Sequence, residues 1–374
     1  MLATEAGKEA HRLMTVCNSC RYCEGLCAVF PAMEARRTFA QGDLDYLANL
    51  CHGCGACYDA CQFSPPHAFN VNVPAILAQV RSESYARYAW PPLAARLFRR
   101  NATAIAVVAA LSVAIFMFSF SLSSNSAPAL AHTHVVVSFY RQMPHSLMVL
   151  VFGSAFLYAL LALAAGVRRF WVDIGAAAAP RPDSESIWQA VRDAGRLRYL
   201  DGGGGDVGCA SPEDSIDTRR FAHHLVFYGF LLCFASTSVA TLYHYLFGKD
   251  APYPWYDAPV VLGTLGGCGL LAGSVALFGS KTKRDPLLAD AGARGMEAAF
   301  LLMLFLTGLS GLALLLLRNT AALAALLPLH LGFVFAFFIT MPYGKFVHGI
   351  YRFVALVHYA RERSAEASGI DSMQ

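Results

Sequence analysis

From residue 101 onward the chain is written in long apolar blocks with shorter polar stretches between them, whereas residues 1–100 hold no such block. Six runs have the length needed to cross a hydrocarbon core of about 30 Å. They lie at roughly 103–121, 145–166, 222–246, 258–279, 296–317 and 323–343. Lipid offers no partner for free backbone groups, so each run is predicted to be a helix. The fourth contains "LGTLGGCGLLAG", and small residues at that density let helices approach closely in a membrane. The pattern predicts a mainly α protein. A soluble head over 1–100 precedes a six-helix transmembrane bundle over 101–350, with a long inner loop at 167–220 and a tail over 351–374.

Composition agrees. The 374 residues are 56% hydrophobic and 14% charged, against about 25% charged in an ordinary soluble domain. The net charge of +4 says little; the placement of Lys and Arg says more. With the N-terminus inside, each of the three outer loops holds one basic residue, Arg141, Lys249 or Arg318. The inner loop holds Arg168, Arg169, Arg181, Arg192, Arg196, Arg198, Arg219 and Arg220, the next one Lys281, Lys283, Arg284 and Arg294, and Arg96, Arg99 and Arg100 precede the first span. This asymmetry predicts cytoplasmic N- and C-termini. Retention on that face accounts for the basic residues, so no nucleic-acid partner is expected. The first thirty residues lack an apolar core, so no cleaved leader is expected and the head is placed in the cytoplasm. The "GGGGDVGC" at 202–209 follows no strand and reads as a flexible segment, not a phosphate cradle.

The head holds eight of the eleven cysteines, in "CNSCRYCEGLC" and "CHGCGACYDAC". Cys17, Cys20, Cys23 and Cys27 are spaced C-x2-C-x2-C-x3-C, and Cys51, Cys54, Cys57 and Cys61 repeat it. In a reducing compartment such runs are metal ligands rather than disulfides. Three thiolates on a tight loop can converge on one cubane while the fourth reaches the other cluster. The predicted sets for two [4Fe-4S] clusters are therefore Cys17, Cys20, Cys23 with Cys61, and Cys51, Cys54, Cys57 with Cys27. Structural zinc more often uses two separated cysteine pairs. The prolines that follow such runs in bacterial ferredoxins come late, at Pro31 and Pro65. Cys209, Cys233 and Cys268 are isolated and read as packing residues.

Histidines mark the ends of two spans. His223 and His224 open the third and His244 closes it; His330 and His348 bracket "HLGFVFAFFITMPYGKFVH". Eighteen residues of continuous helix make five turns, which would set His330 and His348 on one face about 27 Å apart. His223 and His244 lie about 60° apart around their helix, and His224 and His244 about 160°. Two levels follow, with His223 meeting His348 on the inner side and His244 meeting His330 on the outer. Facing imidazoles in a helical bundle are the ligand set of a bis-histidine haem b, so one or two haems are expected. The bland alternative is histidine tolerating an interface, although intramembrane ionisable groups are functional candidates by default. His145 is a rival outer ligand, and His224 a rival inner ligand or quinone contact. Lys345, Arg352 and Tyr343 near His348 are candidates for haem propionates or a quinone, or an ordinary cationic anchor. His132 and His134 fall in the first outer loop, and His358 is expected on a surface helix.

Together "CRYCEGLC", "RRFAHHLVFYGFLLCFAST", "APVVLGTLGG" and "MPYGKFVHGIYRF" resemble the family of tricarballylate or citrate utilization protein B over most of the chain. "MPYGKFVH" is also similar to the haem-ligating helix end of nitrate reductase gamma-type cytochromes. The resemblance implies a bacterial inner-membrane electron carrier with two [4Fe-4S] clusters and haem b. Its partner would be an FAD-dependent dehydrogenase oxidising tricarballylate, with a membrane quinone as acceptor and quinone reductase activity residing in the whole complex. The glycine run at 202–209 follows no strand and makes no flavin-binding module, so the flavin would sit on another subunit. The alternatives are a relay for a different flavoenzyme or a cobalamin-pathway oxygenase, and a haem-free membrane iron–sulfur sensor.

Overall fold

The computed structural model describes residues 2, 4–125, 143–177, 181–200, 213–283 and 285–371. His132, His134, Arg141, Cys209, the glycine run at 202–209 and Arg284 lie outside them. Among the described residues every regular element is a helix.

The head is built from α1 (Glu5–Cys20), α2 (Val29–Glu34), α3 (Gln41–Leu50), the single turn α4 (Ala56–Asp59) and α5 (Val73–Tyr88). The Thr4 hydroxyl caps α1 by accepting from Gly7 N at 3.1 Å, satisfying an orphan N–H of the first turn. At the other end Arg21 adopts the left-handed conformation (φ 54°) and its N–H returns to Cys17 O. The helix thus stops within the first cysteine run. Asn72 caps α5 in the same way, accepting from Ala75 N at 3.1 Å. Leu13, Met14, Met33, Leu44, Leu47 and Leu77 form a fully buried core between these helices.

After α6 (Pro92–Leu97) come the apolar helices α7 (Asn101–Asn125) and α8 (His145–Asp173), the amphipathic α9 (Ser184–Arg196), and then α10 (Glu213–Phe247), α11 (Ala258–Thr282), α12 (Arg294–Leu316) and α13 (Leu323–Thr340). Six of these are long and apolar enough to cross a membrane. Leu111, Ile115, Phe118, Leu150 and Val275 stand more than half exposed on them, as lipid-facing side chains do. The glycine-rich span packs backbone to backbone. A Cβ on Gly266 would lie 2.7 Å from Cys233 N and from Gly229 O, and one on Gly273 would lie 2.8 Å from Val226 N. That is how small residues bring α10 and α11 together. Cys233 fills this contact, while Cys268 is exposed.

The run from His330 to His348 is not one helix. It ends at Thr340, passes through a 3₁₀ turn at Met341–Tyr343 and an extended Gly344 (φ −99°, ψ −169°), and restarts as α14 (Val347–Asp371). Pro342 has no N–H to continue the ladder, and the break follows. The five-turn register expected between the two histidines is therefore lost.

The segment read as a tail lies in the seam between head and bundle, where Ala355, Leu356 and Val357 are buried. Arg36 binds Glu362 at 2.7 Å, and Tyr46 Oη donates to Glu362 at 2.9 Å. Arg361 donates to Ala176 O at 2.9 Å. Tyr88, Phe170 and Tyr351, from α5, α8 and α14, form an aromatic cluster with ring centres 5.2–6.1 Å apart. Gly42 passes so near Asp173 O that an added Cβ would lie 1.9 Å away. Head and bundle are one packed body along this seam.

Gly266→Leu is expected to cost about 1–3 kcal/mol or more through overpacking, lowering the thermal unfolding midpoint in detergent. Gly153→Leu, where nothing lies within 4 Å, is expected to leave it unchanged. Equal effects would contradict the close α10–α11 contact.

Candidate functional site

Two pockets in the head collect the eight cysteines. One is lined by Cys27, Cys51, Cys54 and Cys57 together with Leu26, Phe30, Val73 and Tyr199. The other is lined by Cys17, Cys20, Cys23 and Cys61 with Val16, Tyr22, Phe63 and Val71. Each pocket thus takes three thiols from one run and the fourth from the other. Gly53 (φ 60°) and Gly55 (φ 100°) supply the left-handed turns that curl the second run around its pocket. Among the described residues no three His, Cys, Asp or Glu close on a single metal-ion position; the thiols line the pocket walls instead.

The donor chemistry is telling. Burial, joined by the charges of Cys23, Cys61 and Cys20, pushes the Cys17 thiol up to about 12. Burial also raises Cys27, with Cys54 and Cys51 adding to it, and holds Cys57 well above its ordinary value. Buried thiols such as Cys17, Cys27 and Cys57, whose ionisation their surroundings oppose, become thiolates only around a compensating cationic centre. The residues present therefore fit an iron–sulfur group.

The histidines divide by level. At the head-side end of the bundle, His223 on α10 and His348 on α14 face each other with ring centres 6.1 Å apart and planes at 68°. The His348 Nδ1–H donates to Lys345 O at 2.5 Å, which leaves Nε2 as the free lone pair. Burial, then the charges of Lys345 and Arg352, hold His348 well below the usual imidazole range. His223 Nδ1 and His224 Nε2 are buried without a hydrogen-bond partner. Two metal–nitrogen bonds of about 2 Å, plus about 1 Å from each nitrogen to its ring centre, sum to roughly 6 Å. The His223–His348 spacing fits an axial pair, and a ligating histidine characteristically donates its other N–H to a carbonyl.

The far end differs from expectation. His244 does not meet His330. It stacks on His145 at 3.6 Å between ring centres and donates from Nδ1 to Asp250 at 2.7 Å. His330 lies against Ser310 Oγ, 3.0 Å from its Nδ1, and beside Gly311. Rings 3.6 Å apart leave no room for iron between them, so the far end does not fit a second bis-histidine haem.

His358 is not on a surface. It is 4% exposed, with its ring 4.8 Å from that of Tyr46. Arg361 donates to its Nδ1 at 2.6 Å, and Nε2 sits 3.2 Å from Glu362. The reason is the burial of α14 against the head.

Sequence reasoning passed over three groups. Arg81 donates to Cys51 O at 2.5 Å and carries no local signal. His52 follows Cys51 and lies half-buried, its Nδ1 2.9 Å from Leu50 O. Glu297 forms ion pairs with Lys281 and with Lys345, the latter at 2.7 Å. A lone carboxylate in an apolar span was a readable signal for it.

These features define a class: a multi-pass membrane protein whose head carries two four-thiol pockets. The family described as citrate utilization protein B matches residues 96–369, and the citrate utilization protein B Fer4-like domain matches residues 10–87. The chain is 46% identical to citrate utilization protein B of Escherichia coli over 363 residues, 97% of this chain and 94% of that one. No solved structure matches it. The chain belongs to the citrate utilization protein B family, and its Fer4-like head points to an iron–sulfur electron-transfer role in a membrane.

Burial, with Arg361 and Arg36 opposing protonation, lowers His358 to about 4 from an ordinary 6.5. Between those values the unfolded chain binds the extra proton. The stability His358 contributes is thus full above pH 6.5 and is lost as pH falls toward 4. Thermal unfolding from pH 7 to 4 is expected to show this loss, and His358→Gln is expected to flatten it. An unchanged slope in the variant would contradict the assignment.

Proposed function

We propose that the protein is a membrane electron carrier that takes electrons from a flavoprotein dehydrogenase and delivers them to the membrane. Cys17, Cys20, Cys23 and Cys61 hold one [4Fe-4S] cluster, and Cys27, Cys51, Cys54 and Cys57 the other. His223 and His348 would hold a b-type haem at the head-side end of the bundle. The clusters and haem supply one-electron redox chemistry. The chain supplies ligation, a dry surround and fixed spacing. Lys345 O holds the Nδ1–H of His348, which leaves Nε2 able to ligate, and the His223 ring lies 6.1 Å away. The seam along α14 keeps thiol pockets and imidazoles in one body.

The observation that carries this reading is the facing His223–His348 pair below a head with two crossed thiol sets. The family name and the E. coli relative's name support a citrate-utilization pathway, and tricarballylate is the substrate that the motif resemblance implies. The partner is then an FAD-dependent dehydrogenase on the cytoplasmic side of a bacterial inner membrane. That orientation rests on the Lys and Arg asymmetry. The electron acceptor is a membrane quinone.

Reduced-minus-oxidised absorption spectra of purified protein test the haem. His223→Ala and His348→Ala are expected to lose the b-type bands, while His244→Ala and His330→Ala keep them. Bands surviving in either of the first two, or absent from the wild type, would overturn the haem assignment.

A further inference from the structure

Two guanidiniums converge on one backbone carbonyl of the second cysteine run. Arg81, on α5, donates to Cys51 O at 2.5 Å, and Arg352, on α14, donates to the same oxygen at 2.8 Å. Their remaining hydrogen bonds are long ones, from Arg81 to Ala48 O at 3.3 Å and from Arg352 to Asn49 O at 3.4 Å. All of these acceptors lie at the C-terminal end of α3, whose dipole favours a cation. Yet neither arginine forms an ion pair among the described residues, and the nearby Glu297 is held by Lys281 and Lys345. A guanidinium is cationic at neutral pH, so both carry charge there. Two like charges on one oxygen repel, and a half-charge at a helix end is small compensation. The arrangement calls for an anion beside Cys51, where both guanidiniums converge.

Arg352 also sits one helical turn, four residues, after His348, about 6 Å along α14. It joins the helix of the haem-ligand candidate to the loop of the second thiol set. The surroundings of that set agree. Its pocket is partly lined by Tyr199 from beyond α9, and a Cβ on Gly55 would lie 3.0 Å from Leu288 of the α11–α12 connection. Asn72 donates to Leu287 O at 2.8 Å. By contrast, only head residues line the other thiol pocket; Cys20 is exposed there, and Tyr22 is 71% exposed.

We infer that the thiol set of Cys27, Cys51, Cys54 and Cys57 is the exit end of the head, and that Arg81 and Arg352 are positioning residues that raise the reduction potential of the cluster it holds. This rests on the proposed electron-carrier function. With the groups bound, one electron supplied by the reduced flavoprotein would pass from the solvent-side set (Cys17, Cys20, Cys23, Cys61) to the exit set and on to the group held by His223 and His348; no bond or proton would move. A cation beside the exit set stabilises the more negative reduced state, so transfer toward the membrane is downhill.

The test is a redox titration of the full-length protein followed by electron paramagnetic resonance, with iron and sulfide content measured alongside. Cys20→Ser and Cys54→Ser variants assign the two cluster signals. Arg352→Gln, which keeps an amide donor and removes the charge, is expected to lower the midpoint of the Cys54-assigned signal only. The shift expected is roughly tenfold in the one-electron equilibrium, about 59 mV. Arg81→Gln is expected to move the same signal in the same direction, and serves if Arg352→Gln fails to fold. With wild-type cluster content, a shift of the Cys20-assigned signal, an equal shift of both, or no shift overturns the inference while leaving the electron-carrier reading intact. Absence of clusters from the wild type overturns that reading, and the inference with it.

Discussion

The packing of α14 between head and bundle is the constraint on which the rest depends. An electron carrier needs its stations at fixed separation, and two bodies joined by a mobile linker would not provide it. Here a single helix carries His348 at one end, Arg352 one turn on, and His358, Arg361 and Glu362 two to three turns further. Each of the last four reaches a group on the head or on the segment after α8. Tyr88, Phe170 and Tyr351 fill the space between with rings, and Gly42 lets backbones touch. Burying these charges is costly, and breaking any one pair would leave an uncompensated charge behind. Such a network specifies one arrangement of head on bundle more than it adds stability.

The same logic applies inside the bundle. Between helices in lipid there is no hydrophobic gain, so contact geometry decides which pair. The glycines of α11 let it lie directly on α10, and α10 carries His223. The head-side pair thus has one imidazole on a helix locked backbone to backbone against its neighbour and the other on the helix that anchors the head. The far-end histidines have no such support. His145 and His244 rest on each other, and His330 on a serine.

Much of this was legible in the chain because it depends on local pattern. Span lengths, the glycine-rich fourth run and the doubled cysteine spacing are properties of short windows, and the structure has all three. Pro342 and Gly344 were visible too, but their effect on the His330–His348 register was outweighed in the reading by continuous apolarity. The pairing of His244 with His145 was not legible, since it depends on how two spans far apart in sequence lean at their ends. His358 looked like a surface residue because nothing local tells that the helix after a last span will be covered by the head. Arg81 has no motif at all. Only the convergence of α5 and α14 on Cys51 gives it a role.

The most direct test of the account is the cofactor content of the purified wild-type protein, measured as iron, acid-labile sulfide and extractable haem b. The account predicts two [4Fe-4S] clusters for each haem, about eight sulfides per haem. Zinc in place of iron, or clusters with no haem, would contradict it.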